Sequence, residues 1–147
     1  MHLLYWFIIF LTSFIILMSV LSFVLGDVKY YRRMIHRRIF SREVFYTLLM
    51  VYIIVIIGFG LIYFLLSLNM LILVEDGNYH RTSILGSIVH SLYFSGVTLL
   101  TIGYGDIVPI GIGRVLALIQ ALIGYILPTA SVLRLVQTRY MDGKEER

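Results

Sequence analysis

Cysteine is absent from this chain of 147 residues, which removes disulfides, thiolate metal sites and cysteine nucleophiles together. Charge is scarce as well: Asp, Glu, Lys and Arg make up 14% of the residues, against 60% hydrophobic ones. Soluble domains carry about 25% charged residues, so a soluble enzyme and a disordered tail are both excluded. The mean hydropathy of +0.94 belongs to a membrane protein. A net charge of +4 does not argue for nucleic acid, because the basic residues sit between apolar blocks, where lipid headgroups are the nearer anions. No nucleic-acid partner is expected.

What is present is three long apolar blocks. Leu3 to Gly26 contains no charged side chain and would be about 36 Å long as a helix, enough for a hydrocarbon core of about 30 Å. Phe45 to Val74 is broken only by small or weakly polar residues such as Thr47, Ser67 and Asn69, and Glu75-Asp76 closes it. Ile112 to about Val136 carries Arg114 at one end and Arg134 near the other, where snorkelling anchors belong. We expect segment 1–26 to be a retained N-terminal transmembrane helix and not a cleaved leader, since no basic stretch precedes its apolar run. Tyr5, Trp6, Tyr30 and Tyr31 fall where interfacial aromatic belts form.

Segment 27–44 holds Lys29, Arg32, Arg33, Arg37, Arg38 and Arg42. The positive-inside rule makes it cytoplasmic, which sets the N-terminus outside and the C-terminus, with its short tail 138–147, in the cytoplasm. Val28, Tyr31, Ile35 and Ile39 recur at helical spacing, so the linker reads as an amphipathic helix on anionic inner-leaflet lipid. The expected location is the cell membrane, crossed several times.

The chemistry is concentrated in the loop between the second and third blocks. A helix-compatible stretch, 83–99, follows the hydroxyl caps Thr82 and Ser83. It is too short to cross and reads as re-entrant. After it come Thr101, Ile102, Gly103, Tyr104, Gly105 and Asp106. Gly103 and Gly105 accept positive φ at little cost, so the backbone around Ile102 and Tyr104 can alternate hand and aim successive carbonyls one way. Several such strands about an axis would stack rings of oxygen able to replace a cation's water shell. One chain supplies one strand of that cage, so assembly is required.

This run resembles the selectivity-filter signature of the potassium channel pore family, T-V/I-G-Y-G-D, and 45–137 is similar to that family's helix, pore helix, filter and inner helix (45–74, 83–99, 101–106 and 112–137). The resemblance implies an all-α membrane protein of three transmembrane helices plus a re-entrant pore helix and filter loop, assembled as a homotetramer. It implies K⁺ as the permeant ion, held by the carbonyls of Thr101, Ile102, Gly103 and Tyr104 with the Thr101 hydroxyl, and no cofactor. Gly105 and Asp106 support the filter by the same resemblance. The Tyr104 ring is expected against an aromatic cuff at Tyr93 and Phe94, with Tyr93 a candidate donor to Asp106. Two positions depart from the family: Leu100 stands where many relatives have Thr, and Val97 where some have Glu, so no second carboxyl accompanies Asp106 behind the filter.

Gly124 precedes Pro128 by four residues, and proline lacks the N–H that would bond the Gly124 carbonyl, so a bend is expected there. In the resembling family a glycine at this distance along the inner helix is a gating hinge, which assigns that role to Gly124 with Pro128. No regular arginine repeat lies on a membrane helix, so no voltage sensor is expected, and the tail is too short for a ligand-binding domain. His80 and His90 read as an exposed and a hydrogen-bonded residue, Glu75 and Asp76 as a solvated loop end, and Gln120 as an interhelical hydrogen-bonding group. Gly58 and Gly60 read as helix-packing positions.

Gly103-x-Gly105-Asp106 also fits the GxGD pattern of intramembrane aspartyl proteases, but two neighbouring carboxylates are needed and Asp27, Asp76 and Asp142 all lie outside the apolar blocks. No catalytic activity is expected. The alternatives that stay open are a weakly selective cation channel and a non-conducting scaffold or auxiliary subunit.

Overall fold

The computed structural model describes residues 2–25, 40–70, 72–75 and 84–145. The linker 26–39, with most of its arginines, and the loop 76–83, with Asp76, His80, Arg81, Thr82 and Ser83, lie outside the described residues.

Four helices and one pair of strands make up the described chain: α1 His2–Leu25, α2 Phe40–Asn69, β1 Leu73–Glu75, α3 Ile84–Leu99, β2 Ile107–Pro109 and α4 Ile112–Glu145. Three of the helices contain stretches long and apolar enough to cross a membrane: Leu4–Leu25, Phe45–Asn69 and Ile112–Leu133. The 16 residues of α3 would reach only about 24 Å, too short to cross a hydrocarbon core of about 30 Å.

The apolar block expected to run as helix to Val74 stops at Asn69. Its last residues form β1, which pairs antiparallel with β2 in the register Leu73↔Pro109, Val74↔Val108 and Glu75↔Ile107. The Ile110 amide extends that ladder by donating to the Ile72 carbonyl at 2.8 Å. Non-local pairing thus overrides helical continuation, and the two strands tie the end of α2 to the segment just after Asp106. At its other end α2 starts at Phe40, taking in the last residues of the expected linker.

The core lies where α1 and α3 pack on opposite faces of α2. Val51, Val55, Phe59, Ile62 and Tyr63 of α2 are buried with Ile16 and Phe23 of α1 and Phe94 and Leu99 of α3, and Leu127 of α4 joins them. Glycine lies at both crossings. A Cβ on Gly58 would lie 2.7 Å from the Ile16 side chain, and one on Gly60 would lie 3.2 Å from the Leu92 Cα. The packing role expected of these glycines is therefore demanded by backbone at Gly60, whereas at Gly58 only the end of a side chain would have to move. Small residues let backbones approach closely where water exclusion gives no drive.

Candidate functional site

The segment after α3 alternates hand residue by residue. Thr101, Gly103 and Gly105 have φ of 56°, 57° and 81°, while Thr101 is the one non-glycine residue with positive φ among those described. Glycine takes this region freely, but a β-branched residue does so at a cost of about 1 to 3 kcal/mol. The surrounding bonds hold Thr101 there.

Those bonds come from the C-terminal end of α3, whose last carbonyls have no partner inside the helix. The amide of Leu100 donates to the Gly96 carbonyl at 3.0 Å and that of Thr101 to the Thr98 carbonyl at 3.1 Å. The amides of Ile102 and Gly103 both donate to the Val97 carbonyl, at 2.9 and 3.4 Å. Since a trans peptide points its N–H and C=O in opposite directions, anchoring these N–H groups turns the carbonyls of Leu100, Thr101 and Ile102 away from α3. The Leu100 carbonyl accepts the Thr101 hydroxyl at 2.7 Å. Residues 101–106 are all exposed in a single chain. The result is an exposed, acceptor-rich strand braced from behind, suited to coordinating a hard cation once several strands face one another.

At the end of this strand Asp106 accepts from two donors. Its Oδ2 takes the Tyr93 hydroxyl at 2.7 Å, and its Oδ1 takes the Ile107 amide at 3.0 Å. The Tyr93 hydroxyl, with help from the amide, holds the carboxyl below its ordinary value of 3.8. The candidate donor named from sequence is therefore in hydrogen-bonding position.

Phe94, expected in an aromatic cuff around Tyr104, packs on α2 within a single chain. Phe94 is buried and turns to α2, edge-on to Tyr63 with ring centroids 5.1 Å apart. Tyr104 is 71% exposed, so this chain's own Phe94 does not enclose it. Aromatic packing between two helices took Phe94 inward, because an edge-to-face pair gains beyond its buried area.

Behind α3 runs a polar network that fastens it to α2 and α4. Gln120 of α4 accepts the Tyr63 hydroxyl at 3.0 Å on Oε1. Its Nε2 donates to the Ser95 Oγ at 2.7 Å and to the Ser95 carbonyl at 3.0 Å. The Ser95 hydroxyl in turn donates to the Ile56 carbonyl at 2.8 Å. Tyr63, Ser95 and Gln120 are all fully buried, and each polar group has a partner, the condition under which a buried network stabilises. Gln120 was legible as an interhelical group; Tyr63 and Ser95 were missed, although hydroxyls in charge-free helices are a signal for such bonds.

Gly124 meets the other end of this framework. A Cβ there would overlap the Leu99 carbonyl oxygen at 2.0 Å, so only glycine lets α4 lie against the last turn of α3. The helix runs continuously through Gly124 and Pro128. The hydroxyl of Tyr52 on α2 donates to the Gly124 carbonyl at 3.0 Å.

Comparison with known proteins agrees with this geometry. A family model described as an ion channel matches residues 51–139. Protein LctB of Bacillus caldotenax is 39% identical over 97 residues, covering 65% of this chain and 72% of that relative. Protein LctB of Geobacillus stearothermophilus is 42% identical over 82 residues, covering 55% of this chain and 61% of that relative. No solved structure matches. The chain belongs to the ion-channel family, in its two-helix form with a potassium-channel type of pore, and is a multi-pass membrane protein.

Proposed function

We propose that this ion-channel subunit is selective for K⁺ and that four copies surround one pore. The observation that carries the reading is the alternation of hand at Thr101, Gly103 and Gly105, combined with amides tied back to α3. Four strands of this kind would present rings of carbonyls from Thr101, Ile102, Gly103 and Tyr104, with the Thr101 hydroxyls beneath. Such rings repay the dehydration of a K⁺ ion. The exposure of Ile102 and Tyr104 in a single chain supports assembly, because large apolar and aromatic groups at a pore mouth need cover from neighbouring copies.

In this reading 1–26 is an additional outer helix, 27–44 a basic linker on the anionic inner leaflet, and 45–137 the pore unit. Gly105 and Asp106 end the filter, Tyr93 braces it through Asp106, and Phe94 supports α3 from behind. Conduction is passive, and no residue performs catalysis or holds a cofactor. Gly124 and Pro128 form the bend at which the inner helix gates. The N-terminus faces outward and the tail 138–147 is cytoplasmic, in the cell membrane.

The test is the reversal potential of the purified protein in a planar bilayer with K⁺ on one side and Na⁺ on the other. We expect a potential close to the K⁺ equilibrium value, and its loss in Gly103→Ala, whose side chain disfavours the left-handed φ of 57°. Equal permeation of the two ions in the native protein refutes K⁺ selectivity and leaves a general cation channel. Cross-linking to tetramers in detergent tests the assembly separately.

A further inference from the structure

The Gly124 carbonyl is a group that its own helix cannot satisfy in the usual way. An α-helix would bond it to the amide four residues on, and that residue is Pro128, which has no N–H. Yet α4 is continuous there, in an apolar setting where an unpaired carbonyl is costly. The structure supplies a replacement donor from another helix, the Tyr52 hydroxyl at 3.0 Å.

The neighbourhood explains why this replacement matters. Just beyond Gly124 two further carbonyls accept side-chain hydroxyls: Thr129 donates to the Tyr125 carbonyl at 3.1 Å and Ser131 to the Leu127 carbonyl at 2.9 Å. Back-bonding of this type loosens and bends helices. The stretch 124–131 is therefore the weak part of α4, and the Tyr52 bond to it comes from a different helix. At the same residue the α4 backbone rests on the Leu99 carbonyl, and Leu99 is followed directly by Leu100 and Thr101. One position thus joins the weak part of α4, the helix α2 and the foot of the filter strand.

We infer that the Tyr52 hydroxyl is a latch on the inner helix: it stands in for the amide missing at Pro128, holds Gly124 against Leu99, and must let go for α4 to bend. The inference rests on the reading of the chain as a gated K⁺ channel. A neutral hydroxyl-to-carbonyl bond shifts a two-state equilibrium by about two- to tenfold per subunit. That is strong enough to bias a gate and weak enough to break during gating. A permanent brace would need more than one such bond.

Proline at 128 is what gives the latch its purpose, so a double-mutant cycle isolates it. Native protein, Tyr52→Phe, Pro128→Ala and the double variant are compared by single-channel open probability in planar bilayers with symmetrical K⁺. Tyr52→Phe removes only the hydroxyl and should shift the ratio of open to closed time by about two- to tenfold per subunit. A rise assigns the latched arrangement to the closed state, and a fall assigns it to the open state. Pro128→Ala restores an N–H for the Gly124 carbonyl, and in that background removal of the Tyr52 hydroxyl should have less than about a twofold effect.

An equal shift in both backgrounds, or none in the native one, overturns the latch. The K⁺/Na⁺ reversal potential is read from the same recordings, so loss of K⁺ preference in the native protein refutes the selectivity reading and leaves the latch to be scored by open probability. If the native protein passes no current, hydrogen exchange of α4 amides in the same four proteins replaces the electrical readout. Exchange around 124–131 that is faster in Tyr52→Phe only when residue 128 is proline upholds the latch, and equal rates overturn it.

Discussion

The Tyr93 hydroxyl donates to Oδ2 of Asp106 at 2.7 Å, joining α3 to the residue that ends the proposed filter strand. The strand is thereby held at both ends. At its foot the α3 carbonyls of Gly96, Val97 and Thr98 bind its amides, and at its top a tyrosine of the same helix binds its carboxylate. With Val97 in place of a carboxyl-bearing residue, the Tyr93 bond is the side-chain tie to Asp106 among the described residues, assisted by the Ile107 amide.

Tyr93→Phe should therefore leave the chain folded and weaken the top of the strand. The bond is exposed, so water competes for both groups and its contribution is small. The expected outcome is faster decay of current during sustained opening, by up to about fivefold. Macroscopic current from reconstituted channels measures it, and decay identical to that of the native protein would show the bond to be idle.

The same bond sets an acid limit. The Asp106 carboxyl is held below its ordinary 3.8, chiefly by the Tyr93 hydroxyl. Because the folded value is the depressed one, the bond stabilises the strand above the ordinary carboxylate range, and that contribution is lost as pH falls through the lowered value. Lowering external pH from 7 to 5 should leave the filter unaffected, with failure only under stronger acid. In Tyr93→Phe the acid limit should move upward toward the ordinary carboxylate range. Current recorded against external pH tests both statements, and an unchanged limit in the variant would refute the assignment.

The parts of this site visible in the sequence are those whose chemistry is local. The glycines at 103 and 105 announce their positive φ, and an aromatic hydroxyl on the helix before the strand, together with Asp106, suggested the bond between them. Thr101 did not announce its positive φ, because a β-branched residue is a poor choice for it. Only the amide bonds to α3 impose that conformation. The strand pair was invisible for a similar reason. Leu73 and Val74 continue an apolar helical block, and only the distant partners Pro109 and Val108 draw them out of it. Phe94 has the right type for a filter cuff, but its partner is Tyr63, set by how α2 and α3 cross. Gly124 looked like a flexible residue, whereas its contact with Leu99 shows that close packing demands it as well.

Gln120→Leu should destabilise the helical framework without touching the filter strand. The substitution leaves the Tyr63 hydroxyl without its acceptor and removes two donations to Ser95. Each stranded buried group costs about 1 to 3 kcal/mol, although hydrogen bonds between membrane helices average nearer 0.6 kcal/mol. Ser95 still has the Ile56 carbonyl, so one fully stranded group is the better count. A loss of about 2 kcal/mol is expected. Unfolding of the purified protein in detergent measures it, and native stability in the variant would show that the network is redundant.

Gly124→Ala and Gly58→Ala provide a comparison in which only the neighbour differs. At Gly58 the new methyl meets the end of the Ile16 side chain at 2.7 Å, a flexible group that can swing aside. At Gly124 it overlaps a backbone carbonyl oxygen at 2.0 Å, which can move only if α3 or α4 moves. Overpacking costs about 1 to 3 kcal/mol where side chains adjust, and more where backbone must shift. Gly58→Ala should therefore lose about 1 kcal/mol, mostly in the docking of α1. Gly124→Ala should lose at least about 3 kcal/mol and displace the foot of the filter strand, so K⁺ selectivity should fall along with stability. Reversal potential and unfolding measured on both variants decide the matter. If Gly124→Ala keeps native selectivity and stability, α4 does not rest on Leu99 in the working channel.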